Sequence, residues 1–578
     1  MIPTSLRADA PRHAVDLADL AVTGGGFRSN QLDLFASHSA TAALSDIQHR
    51  PASHLMTARA VLSRASARGM GETIGAQEDA WSTTYGSGIL FNLGYVAPPA
   101  WASFLSSLEQ NGGYAMFPGG KPDAWATGFA ALAQARYDPT SVRKAPLARW
   151  IGSAQASDGG ITWTPEQARR GSGDVRATGF CVEALRQVAA VPLLAGYADI
   201  EALATFVIGQ QIDAGGFALD SHSAPCMWGT GEAVAVLDAL EIPIPNRTSV
   251  IEFVMAHFDE ATGGFRRGPA YHTQADVWAT RQAVRVLRVV APDRLATLAP
   301  RVVSFVESCE LPHGGYTYTN VTDAGDVLST SAALLAGYGT SQTADWIASC
   351  MMPDDDGFAY MPGRGAEART SQWATAALDA AGISYNADAL LTWASRMQNL
   401  DGGFGRWAGR VSEPVSTAAV VATLARTDML GSFPGLGALA NWVGNAIEGL
   451  DDSRPVDAVT TANLVRAANA ITGASDASID ITPCLSIIRG LRVDGAFRRS
   501  TRAVPDLATT YAVLVAHQSM GDEDSLPAAR SWLNHLTVHP NGVAWSPASS
   551  EGGGLLATAL AALIANAADG ARLPDLSL

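Results

Sequence analysis

The sequence predicts an all-α protein in which twelve degenerate helical hairpins close into two α/α barrels. Three observations carry this. One phrase, Asp-x-x-(Ala/Ser/Thr)-Thr followed by alanines and leucines, recurs through the chain with successive spacings of 42 to 52 residues. A Gly-Gly-aromatic turn stands about a dozen residues before many of the copies. The stretches after the threonine are apolar nearly all round, as expected of an inner ring of helices sheathed by an outer one.

The phrase is clearest at Asp79–Thr83, Asp123–Thr127, Asp174–Thr178, Asp276–Thr280, Asp326–Thr330 and Asp506–Thr510. Weaker copies run Ser37–Thr41, Cys226–Thr230, Ser371–Thr375, Glu413–Thr417, Asp457–Thr461 and Gly554–Thr558. The aspartate is a natural N-cap, whose side chain accepts from orphan N–H groups at the positive end of a helix. The turn occurs as Gly25-Gly26-Phe27, Gly112-Gly113-Tyr114, Gly215-Gly216-Phe217, Gly263-Gly264-Phe265, Gly314-Gly315-Tyr316 and Gly402-Gly403-Phe404, and is missing from copies two and ten. Glycine there supplies the positive φ that ends the preceding helix. The helices before the turns are more amphipathic, for example 200–211 and 386–398.

Length and composition agree. A chain of 578 residues exceeds one hydrophobic core, and 47% hydrophobic against 16% charged residues is the profile of a well-buried globular protein. A net charge of -16 argues against a nucleic-acid partner, which clustered Lys and Arg would serve. Five scattered cysteines without a CxxC or Cys/His pairing fit a reducing, cytoplasmic setting and no zinc site. The first twenty residues lack the charged-then-apolar pattern of a signal peptide. The longest apolar run, Gly552–Ala565, is too short to cross a bilayer and reads as a barrel helix or as a peripheral membrane contact. No nucleotide cofactor is expected. The rings are expected to divide near Ala291–Pro300, giving a first barrel over 26–299 and a second over 300–578.

The turn Gln398-Asn-Leu-Asp401-Gly-Gly-Phe404, followed by the Asp-x-x-x-Thr phrase, resembles the repeats of squalene-hopene cyclases, class II diterpene cyclases and protein prenyltransferase β subunits. Twelve units match the double α6-α6 toroid (the βγ plan) of the cyclases better than the single prenyltransferase barrel. In that plan one barrel interrupts the other in sequence, which implies that an N-terminal helix, residues 1–25, packs with the C-terminal barrel. The resemblance implies a class II-type terpenoid cyclase acting on a polyprenyl diphosphate of farnesyl to geranylgeranyl length or longer. Carbocation cyclisation would take place in a cavity between the barrels.

The family's proton donor is the middle Asp of Asp-x-Asp-Asp-Thr. The matching copy here is the seventh, Asp326-Val327-Leu328-Ser329-Thr330, where Leu328 stands in the donor's place. Another acid must then serve. Asp326 with Asp323 three residues earlier forms a pair able to share a proton, unless Asp326 is only an N-cap. Asp355 and Asp356, in Asp354-Asp355-Asp356-Gly357-Phe358, offer a proton or oxygen ligands for magnesium, unless the turn is merely solvated. Asp451, Asp452 and Asp457 loosely resemble the aspartate-rich motifs that hold diphosphate through Mg²⁺, and would support an ionising synthase. Arg498 and Arg499, and Arg266 beside Arg267, offer planar forks to a diphosphate, or simply serve solubility.

Trp81, Trp125, Trp228, Trp278 and Trp373 share the third position of the phrase, which by the resemblance faces the cavity; they line a pocket there or fill the barrel. A zinc-dependent prenyltransferase is disfavoured, because His272 lies seven residues out of register with Thr280 and no Asp stands two residues before Cys226. The alternative to an enzyme is a non-catalytic member of the fold that binds an isoprenoid or a protein.

Overall fold

The computed structural model describes residues 20–29, 32–71, 78–169, 171–221, 223–268, 274–353, 355–362, 365–450, 457–501, 503–549 and 552–578. They form two compact units, Leu32–Val321 and a second that joins the segment before Leu32 to Thr322–Leu578. The fold is all-α, each unit an α/α toroid.

In the first unit the inner helices are Leu34–Asp46, Ala80–Asn92, Ala124–Tyr137, Val175–Gln187, Met227–Ala239 and Val277–Val290. Each packs on the next, and the sixth packs on the first, so the ring is closed. Outer helices such as His54–Ser63, Pro99–Ser107 and Arg247–Ala256 sheathe it. The second unit repeats the plan with Val327–Leu335, Ala368–Ala381, Pro414–Arg426, Ala458–Ala474, Leu507–Ser519 and Gly554–Ala568, again closed from last to first. The apolar run at 552–565 therefore lies largely within a buried inner helix. Among the described residues no helix is long and apolar enough to cross a membrane.

One hydrogen-bonded lock explains why the two sequence signals travel together. The N–H of the turn aromatic donates to the hydroxyl of the phrase threonine: Tyr114 to Thr127 at 2.9 Å, Phe217 to Thr230 at 3.0 Å, Phe265 to Thr280 at 2.9 Å and Phe497 to Thr510 at 3.1 Å. The carbonyl of the same aromatic accepts from the N-cap backbone N–H, as in Asp276 to Phe265 at 3.1 Å. The first N–H of the helix then donates into the next repeat, as Val175 does to the Leu219 carbonyl at 2.9 Å and Leu507 to Trp545 at 2.8 Å. Orphan N–H groups at each helix start are thus satisfied by the turns that stitch hairpin to hairpin. The glycines permit the approach. Gly112 has φ +100°, and a Cβ on Gly113 would lie 2.3 Å from the Trp150 indole.

The lock also corrects the register. Copy one is held by Ser37, to which the Tyr316 N–H donates at 2.8 Å, with Asp33 as N-cap. Copy eight is held by Ser371, to which Phe358 donates at 2.9 Å, with Glu367 as N-cap. Thr41 and Thr375 sit one turn further on and donate back to the Ser37 and Ser371 carbonyls. Serine does the threonine's work in both copies, so a threonine-based alignment slides by four residues. Copy two keeps the lock through Met70, whose N–H donates to Thr83 at 3.0 Å. The turn region of copy ten falls largely outside the described residues.

The rings close by exchanging turns. Gly314-Gly315-Tyr316 serves the first inner helix, whereas Phe27 donates to Thr330 at 2.9 Å and so serves the seventh. The division therefore falls at Val321/Thr322 and not at 299/300. Helix Pro292–Ser308 and the turn after it complete the first ring. Of the expected N-terminal helix, residues before Leu20 lie outside the description. Leu20–Ser29 is a turn with an Ala21–Phe27 bridge, and Leu20 and Phe27 pack with Ala333 and Leu555 of the second ring.

Candidate active site

The cap carboxylates collect at the helix mouths, and the lock fixes what each can do. Asp326 is buried and caps Val327–Leu335, accepting from Ser329 N–H at 2.8 Å and from Ser29 N–H at 3.2 Å. Asp323 ends a short 3-10 turn, is half-buried, and makes no hydrogen bond to Asp326. Leu328 is buried at the third position beside them.

In the other acidic loops, Asp356 and Asp457 are held in ion pairs. Asp355 is exposed, and Asp356 adopts φ +60° in the turn and pairs with Arg396 at 3.0 Å. Asp457 caps Ala458–Ala474 and pairs with Arg499 at 3.0 Å, so the acid expected to hold metal and the arginine expected to hold diphosphate occupy each other. Asp451 and Asp452 lie outside the described residues. Among the described residues no three His, Cys, Asp or Glu side chains gather as a metal ion would need. Arg498 keeps a buried Nε without a hydrogen-bond partner. Arg266 is half-buried; its neighbour Arg267 pairs with Asp276 and stacks 4.4 Å over Trp278. Cys226 is an N-cap, its Sγ accepting from Gly229 N–H at 3.4 Å. His272 is outside the described residues.

One acid stands apart that the sequence did not single out. Asp506 caps Leu507–Ser519 and accepts from the Thr509 N–H at 2.8 Å and hydroxyl at 2.7 Å. Burial raises its carboxyl above the ordinary range and the Asp457 charge adds to this, while the Thr509 bonds and Arg499 oppose it. A buried carboxyl with a second carboxylate nearby is the arrangement that keeps a proton for donation.

With the register set by the lock, third positions in the first ring are Phe35, Trp81, Trp125, Arg176, Trp228 and Trp278. Trp373 is not among them. It is fully buried on Ala368–Ala381, and its Nε1 donates to the Ser577 carbonyl at 3.0 Å. The first-ring aromatic side chains touch one another, Trp228 against Trp278 at 4.6 Å and Trp125 against Phe180 at 5.0 Å. Arg176 lies 5.3 Å from Trp163 and 5.1 Å from Trp228, so the protein's own guanidiniums already take these π faces. Trp125, Trp228 and Trp278 border a cavity of about 350 Å³, lined also by Tyr85, Phe129 and Phe180 and by arginines and carboxylates.

The third positions of the second ring are instead Leu328, Arg369, Val415, Val459, Ala508 and Leu556. Its lumen receives a segment of the chain itself. Leu573, Leu576 and Ser577 are buried. Gln518 donates to the Leu573 carbonyl at 2.9 Å, Tyr511 to Pro574 at 2.7 Å, and Arg466 pairs with Asp575.

A model of the prenyltransferase alpha-alpha toroid domain matches residues 90–226, 220–415, 334–451 and 447–573. Among solved structures, ent-copalyl diphosphate synthase from Streptomyces platensis is 14% identical over 92% of this chain and 99% of its own, with TM-score 0.37. Protein geranylgeranyltransferase-I from Candida albicans, complexed with GGPP, is 13% identical over 46% of this chain and 86% of its own, with TM-score 0.38. The type II terpene cyclase MstE from Scytonema is 14% identical over 49% and 96%, with TM-score 0.32. Likeness at this level carries no activity from one chain to another. No curated protein matches the chain.

Proposed function

The chain belongs to the prenyltransferase alpha-alpha toroid domain family, and from that premise we propose that it is a class II-type terpenoid cyclase in which Asp506 is the initiating acid. The observation that carries this reading is the buried carboxyl of Asp506 with Asp457 and Arg499 as its charged neighbours. In the step it would perform, the carboxyl proton adds to the terminal alkene of an isoprenoid, and the π pair becomes the new C–H bond. The tertiary cation so formed is attacked by the next double bond. Loss of a proton from the final cation ends the sequence, and a proton returned to Asp506 restores the acid. The net change is an isomerisation, with any diphosphate retained. Arg498 is the donor best suited to that diphosphate, since Arg499 is held by Asp457. The aliphatic third positions of the second ring, Leu328, Val415, Val459 and Leu556, suit a hydrocarbon chain.

Magnesium ionisation has weaker support, because Asp457 is already filled by Arg499 and by the Val459 N–H and Thr460 hydroxyl. A second reading, an isoprenoid-binding member of the fold without catalysis, is favoured by Leu328 in the usual donor's place and by the segment seated in the second lumen. Incubation with farnesyl, geranylgeranyl and longer diphosphates, with and without magnesium, separates the three. A cyclised product that keeps its diphosphate supports protonation, and released diphosphate supports ionisation. Tight binding without product supports the second reading.

A further inference from the structure

We propose that the lumen of the first ring is a binding site for an organic phosphate, its oxyanion held between Arg136 and Arg281 and its apolar body against Tyr85, Phe129 and Phe180. The site is independent of the cyclase reading and lies within one ring. Five arginines and three carboxylates line the cavity. The carboxylates are all engaged elsewhere: Asp46 with Arg288, Glu183 with Arg186 at 2.7 Å and Arg285 at 3.4 Å, and Glu232 with Arg285 at 3.1 Å.

Arg136 and Arg281 have no carboxylate partner among the described residues. The Nη1 of Arg136 is buried without a hydrogen-bond partner, and so are both ring nitrogens of His38, which is 2% exposed. These groups meet at Gly88, where a Cβ would lie 2.6 Å from His38 Nε2 and 2.7 Å from Arg136 Nη1. Burial and then Arg281 lower the Arg136 guanidinium to about 10, and burial followed by both arginines holds His38 well below its ordinary value. Glu183 offsets part of this at Arg136, as Glu232 and Asp46 do at Arg281, but burying like charges together is still costly.

The second ring supplies an internal control. Arg136 and Arg426 each stand thirteen residues after their helix N-caps, Asp123 and Glu413. Arg426 is answered by the chain itself, through the Asp575 carbonyl at 3.3 Å and Asp379 at 3.7 Å. Arg136 has no such segment. Five arginines against three carboxylates leave two cations in excess, which a dianion balances, and the planar guanidinium fork matches phosphate oxygens. The cavity volume falls within the ~300–1,000 Å³ of small-molecule sites, and its aromatic wall suits a carbon-bearing ester over the free ion.

The test is calorimetric titration of the full chain with phenyl phosphate, inorganic phosphate and benzoate, with no isoprenoid present. Saturable binding of phenyl phosphate is expected, about tenfold tighter than the other two. Arg136→Gln and Arg281→Gln should each weaken it about tenfold or more, whereas the surface change Arg396→Gln should leave it unaltered. Melting curves establish that each variant is folded. Absence of saturable binding, equal binding of benzoate or inorganic phosphate, or unchanged affinity in both lumen variants would overturn the proposal.

Discussion

The first ring encloses a cavity lined by aromatic side chains, arginines and carboxylates, while the second carries mostly aliphatic residues at its third positions and receives residues 573–577 of its own chain. Both are built on the same lock and the same closure of six inner helices. The difference shows that the repeat fixes the scaffold and leaves the lumen free to diverge. An interior cation can be paired within its own ring, as Arg466 is with Asp575, or keep a buried nitrogen without a hydrogen-bond partner, as Arg136 does.

The largest expected effect concerns the mouth of the second ring. Asp506→Asn should lower the rate of product formation by about 10²–10⁴-fold, the usual worth of a general acid, with little change in melting temperature. The pH dependence has a definite sign. Because burial raises the Asp506 carboxyl, the active protonated form persists above the ordinary carboxylate range and is lost as pH rises through the raised value. The same shift makes its contribution to stability greatest at acid pH and smaller as pH rises. The Asn variant should lose that stability slope, which urea titrations at several pH values would register.

Packing differences come next. Trp373→Ala should destabilise the second ring by about 3–5 kcal/mol, since the ring is fully buried and anchors Ser577. An unchanged denaturation midpoint would remove Trp373 from that core. Ser37→Ala leaves the buried Tyr316 N–H without its acceptor and should cost about 1–3 kcal/mol. Thr41→Ala should cost less, because it removes bonds to helix carbonyls and a half-buried bond from the Asn92 amide and leaves no buried backbone N–H without its acceptor. Equal losses would contradict the corrected register.

The smallest pair sharpens the comparison of lumens. Asp575→Asn should destabilise by about 1 kcal/mol or less, as its side chain is 43% exposed and screened. Arg281→Gln in the first ring should be close to neutral, since it removes repulsion with Arg285 and Arg136 together with attraction to Glu232 and Asp46.

Much of the fold was legible because the lock demands residue types a sequence displays: glycines for close approach, a hydroxyl at the fifth position, a cap at the first. It misled where a serine substitutes, at Ser37 and Ser371, because a threonine follows four residues later in each. The exchange of turns between Phe27 and Tyr316 was not legible, for each turn looks local until Thr330 and Ser37 claim them from about three hundred residues away. The candidate site was less readable still. Asp506 looks like every other cap, and its difference comes first from burial, with the charge of Asp457 on the neighbouring repeat adding to it. Asp457 and Arg499, promising when read separately, turn out to be each other's partners. Arg136, Arg281 and His38 lie on separate inner helices and converge only when the ring closes.

The most direct test of the account is isotopic. Geranylgeranyl diphosphate incubated with the protein in D₂O should give a cyclised diphosphate carrying one deuterium at the carbon protonated first, and Asp506→Asn should give none. A product without solvent deuterium at that carbon, or an undiminished yield from the Asn variant, would contradict initiation by Asp506.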